Sequence, residues 1–314
     1  MTMVNSVLGP LDTAKLGFTL SHEHIMGSAP WVLKDLPELL GENPLERAVA
    51  DLKKAKEGGV DTIVDATTID LGRDINFLIE ASRRSGVNII ACAGWWLDTP
   101  RFFASITADQ LAGVFIREIE VGIAGTTVKA GVLKSASDMA GVTADEAMVL
   151  RAIARAHHKT GVPIELHSYS PGRIGVQQLA ILKEEGVDPK RVKMDHSNDT
   201  PDLEYLLWLL EQGCYLGLDR YPGHNLSHVA RTRTLKALMD AGYAGRLCLS
   251  HDRSAIGINS AITRARDEER LKINPYGYLF IKKVVFPQLS EMGVAEAELK
   301  GLCVDGPRNF FEGV

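Results

Sequence analysis

Along this chain a short apolar run rich in β-branched residues repeatedly gives way to a longer segment with helical period, and this happens eight times. The short runs are residues 17–24, 60–67, 88–95, 128–135, 163–168, 192–197, 215–220 and 247–252. Helices are expected at 45–57, 75–84, 108–124, 143–160, 175–185, 202–212, 227–241 and 275–292. In the first of these, Leu45, Val49, Leu52 and Ala55 share a face, and Gly58-Gly59 supply a stop. Asp74 and Thr143 are placed to cap the helices they precede, Thr143 with Glu146 as a capping box. Repeated β-α units build parallel sheets. Eight of them in about 250 residues favour closure into a (β/α)8 TIM barrel. An open doubly wound sheet is the alternative, but the chain lacks both the Gly-x-Gly-x-x-Gly turn after its first run and a phosphate-binding loop. One barrel domain over residues 1–314 is expected.

Composition narrows the partners. Hydrophobic residues make up 45% and charged residues 24%, the balance of a globular protein. A net charge of -5 speaks against nucleic acid or an anionic membrane as partner. No apolar run approaches the roughly 20 residues of a membrane helix. The first residues lack a basic segment followed by an apolar one, so no leader is expected. Cys92, Cys214, Cys248 and Cys303 are scattered; Cys92 and Cys248 lie inside apolar runs and read as buried small hydrophobes. A reducing, cytoplasmic setting follows as the expectation.

Barrel strands are buried on both faces and should be apolar, and barrel active sites form at the C-terminal ends of strands. Polar residues at those ends are therefore informative. The first run ends in His22-Glu23-His24, whose two histidines share a face by strand alternation. Lys134 stands near the end of the fourth run. The fifth ends Ile164-Glu165-Leu166-His167, the sixth holds Lys193-Met194-Asp195-His196, and the eighth ends Ser250-His251-Asp252. Alternation lets only one of His251 and Asp252 point inward, and Asp252 is chosen. Singly, each has an ordinary explanation: a hydrogen-bonded structural histidine, a snorkelling lysine, a helix-capping aspartate. Together at one end of five strands, they would be costly to desolvate without a compensating ion. Imidazole and carboxylate are ligands that zinc and related divalent ions accept. His157, His158 and His228 fall outside this set, as does His224, which is kept as a substrate-loop candidate.

This order of residues resembles the binuclear amidohydrolase superfamily, and within it the phosphotriesterase family with its lactonase relatives. The supporting segments are Val7-Leu8-Gly9-Pro10, Leu20-Ser21-His22-Glu23-His24, Asp70-Leu71-Gly72-Arg73-Asp74 and Ala130-Gly131-Val132-Leu133-Lys134. Asp195-His196-Ser197-Asn198-Asp199, Gly217-Leu218-Asp219-Arg220 and Ser250-His251-Asp252 extend the likeness to nearly the whole chain. The resemblance implies two divalent ions, zinc first, with manganese, cobalt or iron as alternatives. It implies that His22, His24 and Asp252 hold the more buried ion and His167 and His196 the more exposed one. Lys134 would bridge them as a carbamate formed with CO2, together with a hydroxide that attacks the substrate. Asp252 is then the expected acceptor of the nucleophile's proton, and Asp199 a member of the relay beyond it.

Two residues bear on the substrate. Arg220 stands where lactonase relatives carry arginine and phosphotriesterases proper carry histidine. Trp96, in Gly94-Trp95-Trp96-Leu97-Asp98, resembles the aromatic wall of a phosphotriesterase pocket. The resemblance thus implies a hydrolase of lactones or related esters, N-acyl homoserine lactones among them, with side activity on phosphotriesters. Phosphotriesters or aryl esters as main substrates form the second reading; a single-metal barrel and a non-catalytic binding protein are the others. The short segment 221–231 implies an open pocket, and 256–273 is expected to select the substrate. A small-molecule substrate and a homodimeric partner are expected, with neither nucleic acid nor membrane.

Overall fold

The computed structural model describes residues 2–223, 225–258, 268 and 271–314. A hairpin of β1 (Met3–Ser6) and β2 (Gly9–Asp12) comes first. Then β3 (Thr19–Met26), β4 (Thr62–Asp65), β5 (Asn88–Gly94), β6 (Val132–Ser137), β7 (Ile164–Ser168), β8 (Val192–Met194), β9 (Tyr215–Leu218) and β10 (Leu247–Leu249) pair in chain order, all parallel. A last strand, β11 (Ser254–Ile256), pairs with β3, setting Ser254 opposite His24 and Ile256 opposite Met26. Between β10 and β11, Asp252 N donates to His22 O (3.2 Å) and His24 N donates to Arg253 O (2.9 Å). Residues 247–256 thus act as one eighth stave, and the sheet closes into a (β/α)8 TIM barrel.

Around it lie α2 (Pro44–Glu57), α3 (Ile75–Ser85), α4 (Ala108–Glu120), α5 (Ala144–Thr160), α6 (Gly175–Glu184), α7 (Leu203–Glu211) and α8 (His228–Asp240), with the single turn α1 (Val32–Asp35) after β3. The expected caps form. Asp74 Oδ1 accepts from Phe77 N at 2.8 Å. Thr143 and Glu146 exchange side-chain to backbone bonds of 3.0 and 3.3 Å. Strand β6 starts later than expected because Ala130 before it bonds elsewhere: its O takes Asn5 Nδ2 from the hairpin, and its N donates to Glu118 O.

Segment 275–292 is not one helix. It divides into a 3-10 turn at Gly277–Leu279, a π-helical turn at Ile281–Val285 and an α-helix at Phe286–Glu291. Pro287 has no N–H to give an α-type bond to Lys283. The helix Glu296–Glu312 has no counterpart in the sequence reading, because Gly301, Gly306 and Pro307 look like breakers. Gly306 instead lets it sit directly on β10, since a Cβ there would collide with Leu247 O.

One apolar cluster fills the space between sheet and helices; a second, including Val64, Ile90, Cys92, Val132 and Cys248, joins the barrel interior to Phe310 and Phe311 at the N-terminal end. All four cysteines are free and buried. Among the described residues no helix is long and apolar enough to cross a membrane.

Candidate metal centre

The C-terminal ends of β3, β6, β7 and β8 and the β10–β11 link converge on one spot. His22 and His24, two apart on β3, aim their Nε2 atoms at the same oxygen, Asp252 Oδ1, at 3.5 and 3.2 Å. The three side chains each offer a ligand atom within 4.8 Å of the others. Beside them His196 Nε2 faces His167 Nδ1 at 2.8 Å. Lys134 Nζ lies 3.5 Å from His22 Nδ1. All six metal candidates from the sequence are therefore brought together. Strand alternation alone would not do this. Both His196 and Asp252 adopt the left-handed region, φ 60° and 53°, which swings each inward out of turn. His251 points the other way and bonds Glu23 Oε1 at 2.7 Å.

Behind these residues stands a layer of carboxylates that the sequence reading passed over. His22 Nδ1 meets Asp195 Oδ2 at 3.0 Å and Asp219 Oδ2 at 3.4 Å. Asp219 Oδ1 accepts from both the backbone N and Nδ1 of His196, each at 2.9 Å. Lys134 Nζ donates to Asp195 Oδ2 at 2.6 Å. His24 Nδ1 is held by Thr67 Oγ1 at 2.9 Å. The missed signal was present in the sequence: charged Glu165, Lys193 and Asp195 interrupt runs that a barrel should keep apolar.

The electrostatics suit cation binding. Burial lowers the pKa of His167, and burial with Arg220 and His167 holds His196 well below 6.5, so both rings are neutral with lone pairs to give. Burial pushes Asp252 up, but the Arg220 guanidinium against its Oδ2 outweighs this and keeps it an anion. For His22, burial and Lys134 push down, yet Asp195 and Asp219 lift it to about 10. A proton there stands in for a metal's charge, so loading this position releases it. The donor set thus fits a cation at each of two places. Lys134 as an ammonium has no lone pair to contribute.

Trp96 donates from its indole N–H to His167 Nδ1 at 3.4 Å, and its backbone N is fixed by Asp70 at 3.1 Å. Trp95 instead packs on Phe103, ring centroids 5.0 Å apart. Arg220 lies between two acids, its Nε at 2.8 Å from Asp252 Oδ2 and its Nη1 at 2.6 Å from Asp199 Oδ2. The link from Asp252 to Asp199 therefore runs through a guanidinium. Beside Arg220 opens a cleft of about 600 Å³, walled by Tyr221, Arg253, Ile258, Leu271 and Ile273. Of the segment expected to select substrate, 259–267 and 269–270 lie outside the described residues, as does His224. His157 and His228 are engaged elsewhere, with Val162 O and Gln288. His158 bonds Glu185 O.

A closed parallel barrel with histidines and carboxylates gathered at its C-terminal rim is the build of a metal-dependent hydrolase. The profile of the phosphotriesterase family matches residues 2–311, and the chain belongs to that family of metal-dependent hydrolases. It is similar to the phosphotriesterase homology protein of Mycobacterium tuberculosis, 37% identical over 326 residues, covering 99% of this chain and 98% of the other. The aryldialkylphosphatase of Saccharolobus solfataricus is 35% identical over 306 residues, 96% of each chain. A solved structure of the phosphotriesterase from Mycobacterium tuberculosis superposes with a TM-score of 0.92 at 36% identity, covering 99% of this chain and 98% of that one.

Proposed function

We propose that this protein is a two-metal hydrolase of lactones or related esters, N-acyl homoserine lactones among them, with side activity on phosphotriesters. The observation that carries the two-metal reading is the convergence of His22 and His24 on Asp252 beside the facing nitrogens of His167 and His196. His22, His24 and Asp252 would hold one ion and His167 and His196 the other. Lys134, its amine converted by CO2 to an anionic carbamate, would serve both. Zinc heads the candidates, followed by manganese, cobalt and iron. Bound there, the ions supply a water made nucleophilic at neutral pH and a Lewis acid for the substrate's carbonyl or phosphoryl oxygen.

The chain's own residues do the rest. Asp252 takes the proton of the attacking water. Arg220, gripping one oxygen of that carboxylate, fixes its orientation and ties it to Asp199. Trp96, standing edge-on to His167 at 5.8 Å between centroids, walls the pocket there. The cleft beside Arg220 accepts the acyl or alkoxy portion.

Arg220 favours lactones; Trp96 and the likeness to an aryldialkylphosphatase favour phosphotriesters as the second reading. Comparing kcat/KM for acyl homoserine lactones, simple lactones, aryl esters and dialkyl aryl phosphates separates them. Lactones are expected to lead. A triester hydrolysed faster than every lactone overturns the first reading in favour of the second. Arg220→His is expected to shift the lactone-to-triester ratio toward triesters by about tenfold, and an unchanged ratio removes Arg220 as the discriminating residue.

A further inference from the structure

Beneath the histidines lies a cation for which the reaction above has no use. Lys193, on β8, is completely enclosed. Its Nζ donates to Ser21 O at 2.6 Å and lies 3.0 Å from Glu165 Oε2 and 3.2 Å from Asp195 Oδ1. Of these three oxygens only Ser21 O takes a hydrogen bond, and the two carboxylates pair with the ammonium by charge. Neither Glu165 oxygen nor Asp195 Oδ1 has a hydrogen-bond partner among the described residues, so Lys193 holds them by charge alone. A barrel interior is ordinarily filled by branched apolar side chains, and a buried ion pair often contributes less than an apolar pair of the same size. Packing is therefore a poor account of these charges.

The better account starts at the other oxygen of Asp195. Oδ2 lies 2.6 Å from Lys134 Nζ and 3.0 Å from His22 Nδ1. The neighbouring strand makes room for this arrangement. A Cβ at Gly217 would come within 2.8 Å of Asp195 Oδ1 and would also collide with the Asp219 carboxylate. We propose that Lys193 and Asp195 form a positioning pair for the metal centre: Lys193 anchors Oδ1, so that Oδ2 stays under the His22 ring and the Lys134 amine. His22 Nε2 is thereby aimed at Asp252, and the Lys134 nitrogen is held at the floor of the site. Neither residue touches substrate. Both act through His22 and Lys134, and the inference rests on the two-metal reading. Carboxylates behind ligating histidines fix ring orientation, and their loss weakens metal binding by about 10–100-fold.

The test compares wild type with Glu165→Leu/Lys193→Met, which swaps the ion pair for apolar groups of similar size and leaves no lone buried charge at either position. Both proteins are stripped, reloaded with zinc, and titrated against a competing chelator. Carbon NMR with isotope-labelled bicarbonate reads the carbamate on Lys134. The stripped double variant is expected to melt close to stripped wild type, to bind zinc about 10–100-fold more weakly, and to lose carbamate signal. Wild-type affinity and signal in the folded double variant overturn the proposal. If that variant aggregates, Asp195→Asn leaves the Lys193–Glu165 pair whole and is read the same way: weaker zinc binding supports the pair, and unchanged binding overturns it. Wild type that takes up fewer than two equivalents of zinc instead overturns the two-metal reading, and the pair's role falls with it.

Discussion

Individual residues here owe their state to burial and to the charges facing them. His157, far from the metal centre, is a clear case. Its Nδ1–H donates to Val162 O at 2.8 Å, and burial lowers its pKa below the usual 6.5. The unfolded chain therefore takes up a proton that the folded chain resists. The stability this residue contributes is complete above 6.5 and is lost as pH falls through its lower folded value. His157→Asn keeps an N–H for Val162 O but does not titrate. It is expected to flatten the acid side of the stability curve, read as urea midpoints between about pH 7.5 and about pH 5. Parallel curves for the two proteins would contradict this. The metal-site histidines were legible one by one, since polar side chains at apolar strand ends stand out. Asp195 and Lys193 stood out as charges in the same way, but what they and Asp219 do was not legible, because their partners lie on other strands and spacing along one strand does not reveal them.

At the scale of elements, the strands had to be parallel and the helices had to start where Asp74 and Thr143 cap them, because both follow from local chemistry. Strand ends were less legible. β3 runs on to Met26, and the eighth stave divides around Asp252, because pairing with a neighbour decides where a strand stops. Gly94 shows how close two strands come. It ends β5 directly opposite Lys134, with φ 147°, and a Cβ there would collide with the Lys134 carbonyl. Gly94→Ala is expected to cost roughly 1–3 kcal/mol by overpacking, measured by urea unfolding, and to displace Lys134. A wild-type midpoint would show that the Lys134 backbone yields freely. The helix Glu296–Glu312 went unread for a related reason: Gly306 weakens an isolated helix, yet it is the residue that lets this one reach β10.

The whole molecule holds its charges in tension when no ion is bound. Asp195, Asp219 and Asp252 gather around His22, which then carries a proton. Metal must displace that proton, so affinity is expected to rise with pH. Stripping with a chelator is expected to lower the melting temperature by several degrees. The expected loss is about 2.7 kcal/mol relative to protein at a hundred times the dissociation constant. Refilling with zinc, manganese or cobalt should restore it, and superimposable melting curves for stripped and loaded protein would contradict a built-in metal site. The sequence by itself determined the eightfold β-α repeat and the set of six polar residues at the strand ends. Periodicity and residue chemistry are local properties, and a closed parallel sheet brings all strand ends to one face. Only the tertiary structure decided that His196 and Asp252 turn inward through left-handed backbone, that Arg220 bridges two acids, and that Lys193 and Asp195 lie beneath the site. Those are relations between strands distant in the chain, and they exist only once the barrel has closed.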